Sequence, residues 1–407
     1  MTSLSIDASR LLERLAVLGN TGRDTSGALT RLAASSEDKL GRDLLVCWLR
    51  DAGLAVTVDC IGNIFGAWGN TGEQRPLMVG SHIDTVINAG ILDGCYGVLS
   101  ALSVIEALQR SGKRPARPIV LAAFTNEEGV RYQPDMMGSL VFAEGYSLQE
   151  ALAAVGTDGS TLGQELKRIG YAGSPTPGDI HPAMYLELHI EQGPVLEADG
   201  CTIGAVENLQ GISWQRVTID GVANHAGTTP TAMRRDAGLA AARVITFLRD
   251  DIAAAPPTVA TVGSVRFHPD AINIIPSQAI FTVDLRDPDE QRLRSAEKHL
   301  TQFLKQLAQR ENVEIRTEKI VRLEPVTFDR ELVGLIERAA KARGFKSRRM
   351  TSGAGHDAQM IARLCPAAMI FVPSRGGISH SPDEHTDNAD LVAGANVLLD
   401  VVTGLST

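Results

Sequence analysis

The stretch "PLMVGSHIDTVINAGILDGCYGVLSALSVIEALQRSG", Pro76–Gly112, and the "RPIVLAAFTNEEG" that follows it at Arg117–Gly129 decide the fold. "PLMVGSHID" stays apolar without alternation until its end, which predicts a strand buried on both faces. "GVLSALSVIEALQRSG" has apolar positions at helical spacing and stops at a glycine, so it reads as a helix. "RPIVLAAFTNEEG" reads as a strand again. Strands alternating with helices at this spacing predict an α/β fold, a mostly parallel sheet with helices on both faces.

The same alternation extends in both directions. Upstream, "SEDKLGRDLLVCWLRDAG" (Ser36–Gly53) reads as a capped helix ending at Gly53, and "LAVTVD" and "NIFGAW" read as strands. Near Gly211 the pattern changes. "ISWQRVTIDG" is a strand, "AMRRDAGLAAARVITFLRDDIAAA" a helix, and "TVATVGSVRF" and "QAIFTVDLRD" a strand pair. "DEQRLRSAEKHLTQFLKQLAQREN" is a second helix and "VEIRTEKIV" a last strand. That βαββαβ order is the ferredoxin-like split unit, an α+β sandwich. It reads as an inserted domain at 211–327, leaving a discontinuous catalytic domain at 1–210 and 328–407. After it, "DRELVGLIERAAKARG" and "AAMIFVPS" return to helix and buried strand.

Composition narrows the class. The 407 residues are 44% hydrophobic and 21% charged, which is ordinary for a globular protein of about two or three domains. A net charge of -9, with no basic cluster interleaved with aromatics, argues against nucleic-acid binding. The first residues lack a basic segment followed by an apolar one, and no run of about 18 apolar residues stands out, so a cytoplasmic protein without a membrane partner is expected. The five cysteines, Cys47, Cys60, Cys95, Cys201 and Cys365, show no CxxC spacing, so core positions suit them better than a disulfide frame.

In such sheets ligands sit outside the carboxyl ends of the strands, where "SHID" (His82, Asp84) and "TNEEG" (Glu127, Glu128) both fall. His189 in "YLELHIEQGP", His380 in "GGISHSPDEHT" and Asp93 in "GILDGCYGV" complete an inventory of three imidazoles and two carboxylates, with Glu128 the second acid. That set suffices for two divalent ions sharing a carboxylate, and it suits zinc, manganese, cobalt or nickel. Each residue alone also has a plainer reading. A histidine on a buried strand is commonly a hydrogen-bonded core residue, and Glu127 and Glu128 could face solvent. Asp84, two residues beyond His82, is a natural hydrogen-bond partner for an imidazole ligand or a simple turn acid.

Taken together, "GALTRLAASSEDK", "GSHIDTVINAGILDG", "FTNEEGVRY", "ELHIEQGPVLE", "HAGTTP" with "RRDA", "INIIPSQ", "VDLRD", "SGAGHDAQ" and "ISHSPDEHT" resemble the amidase, hydantoinase/carbamoylase family of dinuclear metal amidohydrolases. This family includes N-carbamoyl-L-amino acid hydrolases, allantoate amidohydrolases and bacterial-type β-ureidopropionases, within the aminoacylase/carboxypeptidase clan. The resemblance spans nearly the whole chain. It implies that His82 and His189 bind one metal, Glu128 and His380 the other, and that Asp93 bridges them. It further implies Glu127 as general base and His225 as an oxyanion-stabilising residue reaching the partner subunit of a homodimer formed through the inserted domain. Asn273 and Arg286 are implied as substrate-carboxylate anchors, with Gln192 a further polar contact.

His356 and Asp357 are expected in a loop near the metals, and His385 outside the ligand set. Thr231 stands where many relatives have Met. The expected activity is hydrolysis of an N-carbamoyl-L-amino acid to amino acid, ammonia and carbon dioxide. Allantoate or β-ureidopropionate is the alternative substrate, and a dinuclear peptidase is disfavoured by His189.

Overall fold

The computed structural model describes residues 4–69, 74–112, 114–254 and 256–406. The chain divides into two compact units, one running to Glu207 and resuming at Phe328, the other spanning Asn208–Thr327.

The first unit is built on a mixed sheet. Its centre is four parallel strands in the order Ile119–Phe124, Leu77–His82, Met184–Ile190 and Ala367–Val372. All but Met184 of these residues are buried, as continuous apolar runs require when both faces are covered. The flanks are antiparallel: Ile64–Trp68 and Ala55–Val58 on one side, Ile203–Leu209 on the other. The sheet is therefore parallel only at its centre. Helix Cys95–Arg110 is buried along nearly its whole length.

The second unit carries an antiparallel sheet in the order Val265–His268, Gln278–Asp287, Gly211–Asp220, Glu314–Leu323, with helices Ala237–Phe247 and Glu290–Glu311. Alternate residues Ala279, Phe281, Val283 and Leu285 join Val217 and Ile219 in a core closed by Ala240, Val244, Leu300 and Leu304. A small ladder pairs Asn224–His225 with Ile274–Ile275.

Several boundaries differ from the sequence expectation. The helix expected from Ala232 begins at Ala237, because Asp236 caps it by accepting from the N–H of Gly238 and Leu239. Its last expected residue, Ala255, lies outside the described residues. "TVATVGSVRF" is two short strands, Val259–Thr261 and Val265–His268, lying along different parts of Gln278–Asp287. Helices Ala8–Gly19 and Leu162–Ile169 are additional. So is Asn388–Ser406, which is long and apolar enough on average to cross a membrane but is 61% buried within the protein.

Candidate metal centre

The carboxyl ends of the four parallel strands carry the site. His82 closes the first, His189 is the penultimate residue of its strand, Glu127 and Glu128 follow Phe124, and the loop after Val372 leads to His380. Glu127 and Glu128 are not on a strand, as the sequence reading had them. Asn126 enters the left-handed region at φ 58 and turns the chain, and its side-chain amide donates to the carbonyls of Tyr132 and Pro134. Gln192 (φ 58) and His380 (φ 54) also sit in that costly region.

Asp93 lies at the centre of the cluster. Its Oδ1 is 3.1 Å from His189 Nε2 and 3.6 Å from His82 Nε2, and its Oδ2 is 3.3 Å from His380 Nε2. Glu128 Oε2 lies 3.5 Å from His380 Nε2, and Glu127 Oε2 lies 3.5 Å from His82 Nε2. Two groups of donors result, His82 with Asp93 and His189, and Asp93 with Glu128 and His380. Asp93 is shared by both. Gly94 makes this turn possible: its φ is 63, and a Cβ there would meet the His82 ring at 2.4 Å.

The hydrogen bonds behind the imidazoles set their chemistry. His82 Nδ1 lies 3.0 Å from the Asp84 carbonyl, and His189 Nδ1 lies 2.8 Å from the Ile190 carbonyl. A carbonyl only accepts, so each Nδ1 carries its proton; His189 Nε2 accepts the Gly94 N–H at 3.1 Å, and both Nε2 lone pairs lie among the carboxylate oxygens of Asp93 and Glu127. That arrangement is repulsive unless a cation or an added proton lies between. Glu128 Oε1 is also buried without a hydrogen-bond partner among the described residues. Imidazole nitrogen with carboxylate oxygen is the donor chemistry of a first-row divalent cation, so the residues fit one.

Without a cation the cluster holds protons instead. Burial and then the Asp93 charge push Glu128 up to about 8. The hydrogen bond to Asp93 raises His380 to about 9. Burial would lower His82, but the charges of Glu127, Asp93 and Asp84 outweigh it and raise it well above the usual imidazole value. Burial raises Glu127 well above the ordinary carboxyl range, and Asp357, Glu128 and Asp93 add to this.

The remaining candidates fall as follows. Asp84 partners His82 through its carbonyl, with its Oδ1 4.0 Å from His82 Nδ1, and its Oδ1 and Oδ2 also accept the N–H of Glu127 and Glu128, each at 3.3 Å. Gln192 Nε2 donates to Asp93 Oδ2 at 2.8 Å and to Ser379 Oγ at 3.1 Å. His356 packs its ring 4.6 Å from that of His189 and joins neither donor group. Asp357 begins helix Asp357–Ile361 instead of lying in a loop. His385 pairs with Asp387 at 3.1 Å, outside the cluster. All five cysteines are free, and Cys47 is exposed.

Sequence reasoning missed Glu384. Its Oε1 accepts the N–H of Leu92 at 2.8 Å and of Asp93 at 3.2 Å, so it holds the turn that presents Asp93. In "PDEHT" nothing distinguishes it from a solvated turn acid.

In the second unit, His225 Nδ1 accepts the N–H of Gly227 at 3.0 Å and of Thr228 at 3.2 Å. The neutral ring therefore carries its proton on Nε2 and presents a donor. Asn273 lies beside it, its carbonyl accepting the Ala226 N–H at 2.9 Å. Arg286 is not with them. It lies near the far end of Gln278–Asp287, about 27 Å along the strand from Gln278, and its fork is held by Asp284 at 2.9 Å.

Comparison with known proteins fits this geometry. Residues 78–404 match the family model described as Peptidase family M20/M25/M40. An amidase of the hydantoinase/carbamoylase family from Burkholderia multivorans superposes with a TM-score of 0.95 at 41% identity, covering 99% of this chain and 98% of that one. The N-carbamoyl-L-amino acid amidohydrolase of Geobacillus stearothermophilus is 37% identical over 98% of this chain and 99% of its own length. The allantoate amidohydrolase of Bacillus subtilis is 34% identical over 96% of this chain and 95% of its own length.

The chain belongs to the M20/M25/M40 family, in its hydantoinase/carbamoylase amidase branch. It is a metal-dependent amidohydrolase, acting on carbon–nitrogen bonds other than peptide bonds.

Proposed function

We propose that the chain hydrolyses the ureido carbon–nitrogen bond of an N-carbamoyl-L-amino acid, giving the amino acid, ammonia and carbon dioxide. The observation that carries this reading is the shared carboxylate of Asp93 between two donor groups, with Glu127 beside them and not needed as a ligand. His82, His189 and Asp93 would hold one divalent ion, and Glu128, His380 and Asp93 a second. Zinc, manganese, cobalt and nickel all suit these donors. Bound, such ions supply the charge that lowers the pKa of water and polarises a carbonyl.

Glu127 is the proton carrier in this reading. It takes a proton from the attacking water and returns it to the leaving nitrogen, a role suited to a carboxyl whose proton affinity burial raises. The Nε2–H of His225 donates to the oxyanion as it develops. Arg286 and Asn273 bind the substrate carboxylate, Arg286 by exchanging Asp284 for it. Gln192 orients Asp93 and contacts the substrate.

His225 and Asn273 lie at one end of the second unit and Arg286 at the other, so all three serve one substrate only if two copies contribute. This supports a homodimer formed through the inserted domain, with that domain closing over the substrate about hinges near Gly211 and Glu324–Thr327. A cytoplasmic location goes with this reading.

The test is ammonia release from N-carbamoyl-L-amino acids, N-carbamoyl-β-alanine and allantoate by chelated protein restored with each metal in turn. Fastest release from an N-carbamoyl-L-amino acid supports the proposal; fastest release from allantoate assigns the other branch.

A further inference from the structure

The segment "GALTRLAASSEDK" has no part in the chemistry above, yet it contains Arg31, at 0% exposure, with Arg42 the largest of the fully buried side chains among the described residues. A buried guanidinium ordinarily pairs with a carboxylate, as Arg42 does with Asp38 at 2.6 Å. Arg31 has no such ion pair among the described residues. Its donors go instead to Ile83 O at 2.8 Å, Leu18 O and Thr21 O at 2.9 Å each, and Cys95 Sγ at 3.1 Å.

Those acceptors are not scattered. Ile83 follows His82, and Cys95 follows the Asp93–Gly94 turn. Leu18 lies in the last turn of helix Ala8–Gly19, and Thr21 lies just past its end, where the negative pole of the helix dipole offsets the cation. The backbone of Arg31 adds a second clamp: its N–H donates to Thr85 Oγ1 at 2.9 Å, and its carbonyl accepts the Thr85 N–H at 3.0 Å. The planar fork thus spans the end of the His82 strand and the start of the helix behind Asp93, holding the two at one separation.

We propose that Arg31 is a positioning residue for the metal centre, setting the distance between His82 and Asp93 from behind without touching any ligand. The proposal rests on the reading of those residues as metal ligands. It differs from a purely stabilising role in what its loss does, since misaligned donors weaken metal binding even in a folded chain.

Two variants test it. Arg31→Met keeps the bulk and removes the fork without leaving an unpaired charge. Gly41→Ala leaves Arg31 in place but puts a methyl 2.7 Å from its Cδ, displacing the side chain from a helix position where Ala is otherwise favoured. Manganese affinity of chelated protein is measured by competition calorimetry, with far-UV circular dichroism recording the fold.

The expected result is a loss of manganese affinity of about 10–100-fold in folded Arg31→Met, and a smaller loss in Gly41→Ala. If Arg31→Met fails to fold, Gly41→Ala decides alone. Wild-type affinity in a folded variant overturns the proposal and leaves Arg31 a packing residue. Failure of the unaltered protein to bind manganese, zinc, cobalt or nickel would instead remove the metal-centre reading on which it rests.

Discussion

The Asp84 carboxylate accepts the backbone N–H of Glu127 at 3.3 Å, while the Asp84 carbonyl accepts Nδ1–H of His82 at 3.0 Å. One residue therefore aligns the His82 imidazole with the turn that carries Glu127. Asp84→Asn offers one acceptor oxygen where the carboxylate offers two. Turnover is expected to fall by about 10–100-fold, with His82 still able to bind metal through its bond to the backbone carbonyl. Parallel measurement of kcat and metal content checks this.

Glu127→Gln is isosteric and cannot accept the proton. A loss of about 10²–10⁴-fold in kcat is expected, as for removal of a general base, with metal content unchanged. Loss of metal together with activity would make Glu127 a ligand instead.

Metal affinity is expected to rise with pH. Glu128 (about 8) and Glu384 (about 7) have folded pKa values above the ordinary carboxyl range, so the metal-free fold keeps their protons while the unfolded chain gives them up. The metal-free fold therefore loses stability as pH rises from about 4.5 through those values. His380, raised to about 9, acts in the same direction: its contribution is fully present below about 6.5 and is lost as pH rises through 9. Ligation needs ionised Glu128 and neutral His380, so metal binding releases protons. Calorimetry in two buffers of different ionisation enthalpy measures that release, and a pH-independent affinity would contradict the assignment.

Glu384→Ala strips the acceptor from the N–H groups of Leu92 and Asp93. An unpaired buried donor costs about 1–3 kcal/mol. Lower thermal stability of the metal-free protein and weaker metal binding are expected together, read by thermal denaturation and metal titration.

If catalysis is shared between subunits, mixing inactive Glu127→Gln with inactive His225→Ala restores sites that have both groups intact. Activity should reappear, at up to about a quarter of the wild-type rate per chain if subunits exchange at random. No recovery after confirmed subunit exchange would place His225 in the site of its own chain.

Much of this arrangement is legible in the sequence. The unbroken apolar runs ending in His82 and Phe124 announce buried parallel strands, and the polar residues after them mark the functional edge. Local chemistry does not reveal partners remote in sequence. Glu384 acts on a turn 291 positions away, and Asp84, past the end of its strand at residue 82, reaches the backbone of Glu127, 43 positions on, as well as His82. Arg31 reads as an ordinary charge beside a helix start until the backbone of Ile83 and the side chain of Cys95 close around it. The helix starts at Ala237, five residues after Ala232, because the Asp236 side chain caps it there, a local signal that the sequence does carry.

The most direct test of the dinuclear account is a titration of divalent metal into chelated protein, recording bound equivalents and ammonia released from an N-carbamoyl-L-amino acid at each step. The account predicts no release before metal, two equivalents bound per chain, and turnover rising as the second site fills. Ammonia release unchanged by complete removal of metal would contradict it.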